Sequence, residues 1–107
     1  MPGRRKHIAH DPSLPPLFSG EEWCKIVHRL SLSPRQAQVA GLVIQSHKDK
    51  EIAALLDISH ATVRTHICET KSRLVADDRV GLAYRVFWTF RHLVEPHRYP
   101  WIGRDPR

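Results

Sequence analysis

Side chains able to do metal or covalent chemistry are numerous in this sequence but poorly arranged for it. Eight histidines and two cysteines invite a metal hypothesis. Cys24 and His28 lie at i and i+4, and His66 and Cys68 are close in sequence. Neither set forms the paired Cys-x2-Cys or His-x3-His grid of a zinc site. The glycines are scattered, so no glycine-rich loop cradles a phosphate. No Ser/His/Asp or Cys/His arrangement stands in a nucleophile context. The expectation is therefore no enzyme, no metal, no cofactor and no small-molecule ligand.

Residues 60–74 carry another kind of chemistry. Placed 100° apart on a helix, Val63, Ile67, Thr70 and Leu74 share one direction, with His66 on its flank. Ala61, Thr65, Cys68 and Ser72 point the opposite way, with Arg64 and Lys71 to one side. Small outward side chains let a helix backbone approach base edges in a major groove. Arg64 can fork onto a guanine, and Thr65 can make a polar or methyl contact. Cys68 offers a weak hydrogen bond or an apolar contact to a thymine methyl. Ser59 and His60, at the start of this helix, can face a phosphate. Lys50, opening the preceding short helix, sits where a backbone contact is expected.

The rest of the chain must position that helix. At 107 residues the length fits one domain with tails, not a sensor joined to an effector. Hydrophobic content of 41% and charged content of 26% are ordinary for a folded protein. The net charge of +6, with a pI near 9.9, suits a polyanionic partner, although a solvated basic surface has the same composition. No apolar run approaches a membrane span. The basic N-terminus has no apolar stretch behind it, so no secretory signal is read. Two cysteines make no disulfide framework, which points to a reduced, cytoplasmic setting.

Local signals divide the chain into five helices. Residues 1–18 read as a flexible, basic, proline-rich arm, opened by Arg4-Arg5-Lys6 and interrupted by four prolines at 2, 12, 15 and 16. Ser19 caps an amphipathic helix within residues 19–31, with Trp23, Ile26, Val27 and Leu30 on one stripe. Ser33-Pro34-Arg35-Gln36 is a capping box with proline at the first helical position. Ala37, Ala40, Val43 and Ile44 continue that helix to about Gln45. Asp49 can cap a short helix, Lys50 to Leu56, and Ser59 caps the helix that runs to about Leu74. Asp77 or Asp78 caps a last helix, about Arg79 to Val94. Residues 95–107, with Pro96 and Pro100, read as an irregular tail.

Two short helices joined by a tight turn describe a helix-turn-helix. Here the sequence resembles the LuxR/GerE-type DNA-binding domain. The resemblance rests on Leu32-Ser33-Pro34-Arg35-Gln36, Lys50-Glu51-Ile52-Ala53 and Ile58-Ser59-His60-Ala61-Thr62-Val63-Arg64-Thr65-His66-Ile67, three segments at the right mutual spacing. It implies an all-α, four-helix domain over residues 32–94, preceded here by an additional short N-terminal helix. It implies a bacterial regulator of transcription that binds double-stranded DNA. By position, base reading falls on Arg64, Thr65 and Cys68. Phosphate contacts fall near Lys50, Thr62, His66 and Arg73, with Ser59, His60 and Lys71 completing the expected set. This chain departs from the family pattern at several places. Gln36 stands for the usual Glu, and Ser46 and Val75 stand for helix-ending Gly. Lys48 replaces a Ser/Thr cap, which leaves that role to Asp49. Thr70 occupies an apolar core position, and acidic Glu69 lies beside the proposed DNA edge.

The last helix is apolar over more than one stripe. Leu82, Ala83, Tyr84, Val86, Phe87, Trp88, Phe90, Leu93 and Val94 exceed what a small monomer buries. The N-terminal helix, through Trp23 and Ile26, can cover part of the surplus. A two-fold homodimer through Ala83, Tyr84, Phe87, Trp88 and Phe90 can cover the rest. Receiver or ligand-sensing domains do not fit within residues 1–30, so control by abundance, a partner or the arm is expected. Two rival readings share the fold. One is a sigma-factor-like promoter module that docks on RNA polymerase and needs no dimer. The other is a protein-interaction module that has lost DNA reading.

Overall fold

The computed structural model describes residues 11–95, and these form five α-helices with no strand among them. They are α1 (Gly20–Leu30), α2 (Pro34–Ile44), α3 (Asp49–Leu56), α4 (His60–Leu74) and α5 (Arg79–Val94). The all-α architecture expected from the sequence is what the chain adopts. Residues 1–10 of the proposed arm, and the tail after Glu95, lie outside the described residues.

Helix starts follow the local chemistry closely. Ser19 Oγ accepts from Glu22 N–H (3.1 Å) while Glu22 Oε1 accepts from Ser19 N–H (2.8 Å). Ser33 and Gln36 make the same reciprocal pair at α2, with Pro34 where its missing N–H costs nothing. Asp78 Oδ1 accepts from Gly81 N–H at 2.7 Å and starts α5. At α3 the expectation needs correction. Asp49 is the first helical residue, not the cap, and the cap position is Lys48. Glu51 reaches back instead, its carboxylate accepting from Lys48 N–H at 2.9 Å. That frees the Asp49 carboxylate for partners elsewhere.

α2 is the central helix. Ala37, Val39, Ala40, Gly41, Leu42 and Val43 are all buried. The single stripe expected from its sequence understates this, because α2 packs against α4, α5 and the N-terminal segment together. A helix covered on several sides buries most of its circumference. Its residues join Ile26, Leu30, Ile52, Val63, Ile67, Leu74, Leu82 and Val86 in one core.

The stretch from 11 to 18 also differs from the unstructured arm expected there. Ser13, Pro15 and Phe18 are buried. Gln45 Nε2 donates to the Pro12 carbonyl at 2.9 Å, and a Cβ at Gly41 would collide with the Ser13 carbonyl oxygen. Phe18 sits among Trp23, Phe87 and Phe90, with centroid separations of 5.8, 5.5 and 4.9 Å. The prolines that suggested an irregular arm belong to a strap of two successive turns, closed by Leu14 N–H to Asp11 O at 3.0 Å and Phe18 N–H to Pro15 O at 3.1 Å, and its apolar side chains give it a surface to bind. Strap and α1 together cover part of the wide apolar face of α5.

Candidate nucleic-acid interface

α3 ends at Asp57, which takes the left-handed conformation with φ 56° and turns the chain sharply. Ile58 N–H then bonds the Ala53 carbonyl at 3.0 Å. Ser59 caps α4 directly afterwards. Its hydroxyl accepts from Thr62 N–H at 3.0 Å and lies 2.7 Å from the Thr62 hydroxyl. The two helices joined by this turn pack against each other, and α4 packs against α2 as well. The arrangement is a helix-turn-helix, with α4 as its second helix.

The inner face of α4 is the one the periodicity marks: Val63, Ile67, Thr70 and Leu74 are buried. Thr70 brings a hydroxyl into an otherwise apolar layer. It donates to the His66 carbonyl at 2.7 Å, so the polar atom is satisfied within its own helix. The opposite face is open. Ala61, Arg64, Thr65, Cys68 and Ser72 are all exposed, and Cys68 is a free thiol. Thr65 Oγ1 donates to the Ala61 carbonyl at 3.2 Å. That leaves the threonine its methyl and its lone pairs for an outside partner.

The flanks differ from one another. Thr62, Glu69 and Arg73 are exposed on one side, where His66 is half-buried with its Nδ1 3.4 Å from Glu69 Oε1. That nitrogen is shielded from solvent and forms no hydrogen bond to the carboxylate. Lys71 is half-buried on the other side, the one that also carries Arg64. Lys50 is exposed on the first turn of α3, and Ser59 and His60 are exposed where α4 begins. The expected base-facing residues therefore share one open surface, and the expected phosphate-facing residues surround it.

An ionic cluster missed by the sequence reading holds this surface in place. Arg79, the first residue of α5, pairs with the Asp49 carboxylate and donates to the His47 carbonyl at 3.1 Å. The other Asp49 oxygen lies 3.8 Å from His60 Nε2. One carboxylate thus ties the first residues of α3, α4 and α5 together. His60 faces this carboxylate as well as solvent, which its expected phosphate role did not anticipate. Next to it, the Glu51 carboxyl is held below its ordinary value, first by the Lys48 N–H bond and then by His47. No local signal in the sequence reveals a pair thirty residues apart.

On α5 an outward stripe remains. Val80, Tyr84, Phe87 and Val94 are exposed, and Arg91 continues the same line. Of the residues expected on a dimer face, Phe90 turns in toward Phe18. Trp88 is half-buried, with His92 stacked on its ring at 5.3 Å and the Arg85 guanidinium 5.5 Å from its centroid. Val80 and Val94 were not among the expected contacts.

Among the described residues no helix is long and apolar enough to cross a membrane, and no group of three or more His, Cys, Asp or Glu could hold a metal ion. Comparison with curated proteins and with solved structures gave no match. The pattern of the bacterial regulatory proteins of the luxR family, GerE, matches residues 30–86. The match runs from the last residue of α1 into α5 and takes in the whole helix-turn-helix. By that match, more than half of the sequence, the chain belongs to the LuxR family of bacterial regulatory proteins, the DNA-binding regulators of transcription.

Proposed function

We propose that this protein reads specific sequences in double-stranded DNA by laying α4 in the major groove. The observation that carries the reading is the outer face of α4. Its backbone is covered only by Ala61, Thr65, Cys68 and Ser72, with Arg64 exposed at the edge. A face of small side chains permits close approach, and an arginine fork matches guanine O6 and N7. Lys50, Ser59, His60, Thr62, His66, Lys71 and Arg73 surround this face and contact phosphates. Those contacts supply much of the affinity and make it salt-dependent.

The working form is a homodimer through α5. Val80, Tyr84, Phe87, Arg91 and Val94 follow one another at alternating spacings of four and three residues. That spacing keeps a stripe on one side of a helix and suits a partner helix. A two-fold pairing there presents two copies of α4 to half-sites about one DNA turn apart. Selection of bound sites from a random duplex pool, at near-physiological salt, tests both claims. A motif with two-fold symmetry is the expected result. No enrichment favours a protein-interaction module. Enrichment of one unrepeated half-site favours a monomeric reader, of the kind that docks on RNA polymerase.

A further inference from the structure

The outer face of α4 holds few groups that can tell one base from another. Ala61 offers only a methyl, and the thiol of Cys68 is a weak partner. The Thr65 hydroxyl hydrogen is engaged by the Ala61 carbonyl at 3.2 Å. Arg64 is a strong donor. The strong acceptor is Glu69, the one acidic residue between 60 and 74. Its side chain is 53% exposed. Its ionic neighbour is His66 Nδ1 at 3.4 Å, with no hydrogen bond between them.

Glu69 lies one turn beyond Thr65 and about 40° around the helix from it. That places it between the small-residue face and the flank that carries Thr62 and Arg73. A carboxylate in a major groove meets phosphates and the acceptors of guanine and thymine, all of which repel it. The favourable partners are the amino groups of cytosine and adenine. Adenine sets its N7 acceptor beside the amino group, which disfavours a carboxylate. Cytosine has no such neighbour on its own ring.

We infer that Glu69 is a base-selecting residue that accepts a hydrogen bond from a cytosine amino group and acts against non-cognate DNA. This rests on the placement of α4 in the major groove proposed above. Glu69 follows Arg64 by five residues, a rise of about 7.5 Å along the helix. It also lies about 140° around the helix from Arg64, so the cytosine occupies a different base position from the guanine of Arg64.

The test is site selection with the full chain in three forms: wild type, Glu69→Gln and Glu69→Ala. Each is also titrated with unselected random duplex, and a thermal melt confirms that each is folded. The wild type is expected to favour cytosine over guanine or thymine about ten-fold at that position. In Glu69→Gln the preference moves to adenine, whose N6 and N7 match the amide. In Glu69→Ala it disappears. Both variants bind random duplex several-fold more tightly than wild type. The same motif from all three proteins overturns the role of Glu69 and leaves DNA reading by α4 standing. A change in random-duplex affinity with an unchanged motif overturns it too, because charge alone produces that. No motif from the wild type defeats the DNA-reading proposal itself, and the role of Glu69 with it.

Discussion

Arg79 at the start of α5 donates its guanidinium to the carboxylate of Asp49 at the start of α3, thirty residues earlier in the chain. The same carboxylate faces His60 at the start of α4. The helix that carries the proposed dimer stripe is thereby fastened to both helices of the helix-turn-helix. At 40% and 26% exposure the pair is screened by solvent less than a fully exposed pair, but it is not dry. Asp49→Ala or Arg79→Ala should each cost about 1–2 kcal/mol. The double variant should cost clearly less than the sum, since both changes remove one interaction. Urea denaturation of the four proteins checks this, and strict additivity would show that the pair is not coupled.

Val75 ends α4 in the left-handed conformation, with φ 54°. A β-branched residue is strained there, and this one is 53% exposed, so it gains little from burial. The bonds that close the helix, Ala76 N–H to Lys71 O at 2.8 Å and Val75 N–H to Ser72 O at 3.1 Å, use backbone alone. Val75→Gly keeps them and removes the strain. It should stabilise the protein by about 0.5–1 kcal/mol. The midpoint of thermal unfolding should rise by a few degrees, and a fall would show that the Val75 side chain holds a contact of value.

Gly41 is required by packing, in the middle of a buried helix. Its α-carbon faces the Ser13 carbonyl, and a side chain there meets backbone that cannot yield. Gly41→Ala improves helix propensity yet should destabilise by about 1–3 kcal/mol, through overpacking. Denaturant titration distinguishes the two effects by sign. A stabilised variant would mean that the strap does not press on α2.

Glu51 predicts a pH dependence. Its carboxyl is lowered in the folded protein, first by the Lys48 N–H bond and then by the bond from His47. A depressed carboxylate stabilises the fold above its unfolded value, near 4.5, and loses that contribution as the pH falls through the lower folded value. Glu51→Gln should therefore melt below wild type at pH 7, and the gap should close in acid. A gap of constant size from pH 7 to pH 3 would contradict this origin.

How much the sequence discloses depends on how local the cause is. The caps at Ser19, Ser33, Ser59 and Asp78 need only residues within one turn, so they can be read directly. The two faces of α4 follow from periodicity. The full burial of α2 does not, because it depends on Ser13 returning to Gly41 and on Phe18 reaching α5. Proline spacing alone made that strap look like a free arm. At the interface, the residue types and their sides were legible. The commitment of the Thr65 hydroxyl to Ala61, and of Asp49 to Arg79, was not, since both are choices among several possible partners.

Arg64 is proposed to read a base from the major groove. A titration cycle tests it most directly: wild type and Arg64→Ala, each with the selected duplex and with that duplex changed at its guanine. Wild type should lose about 1–3 kcal/mol on the base change, and Arg64→Ala should bind the two duplexes equally. Full discrimination retained by Arg64→Ala would remove Arg64 from that role and place base reading elsewhere on the protein.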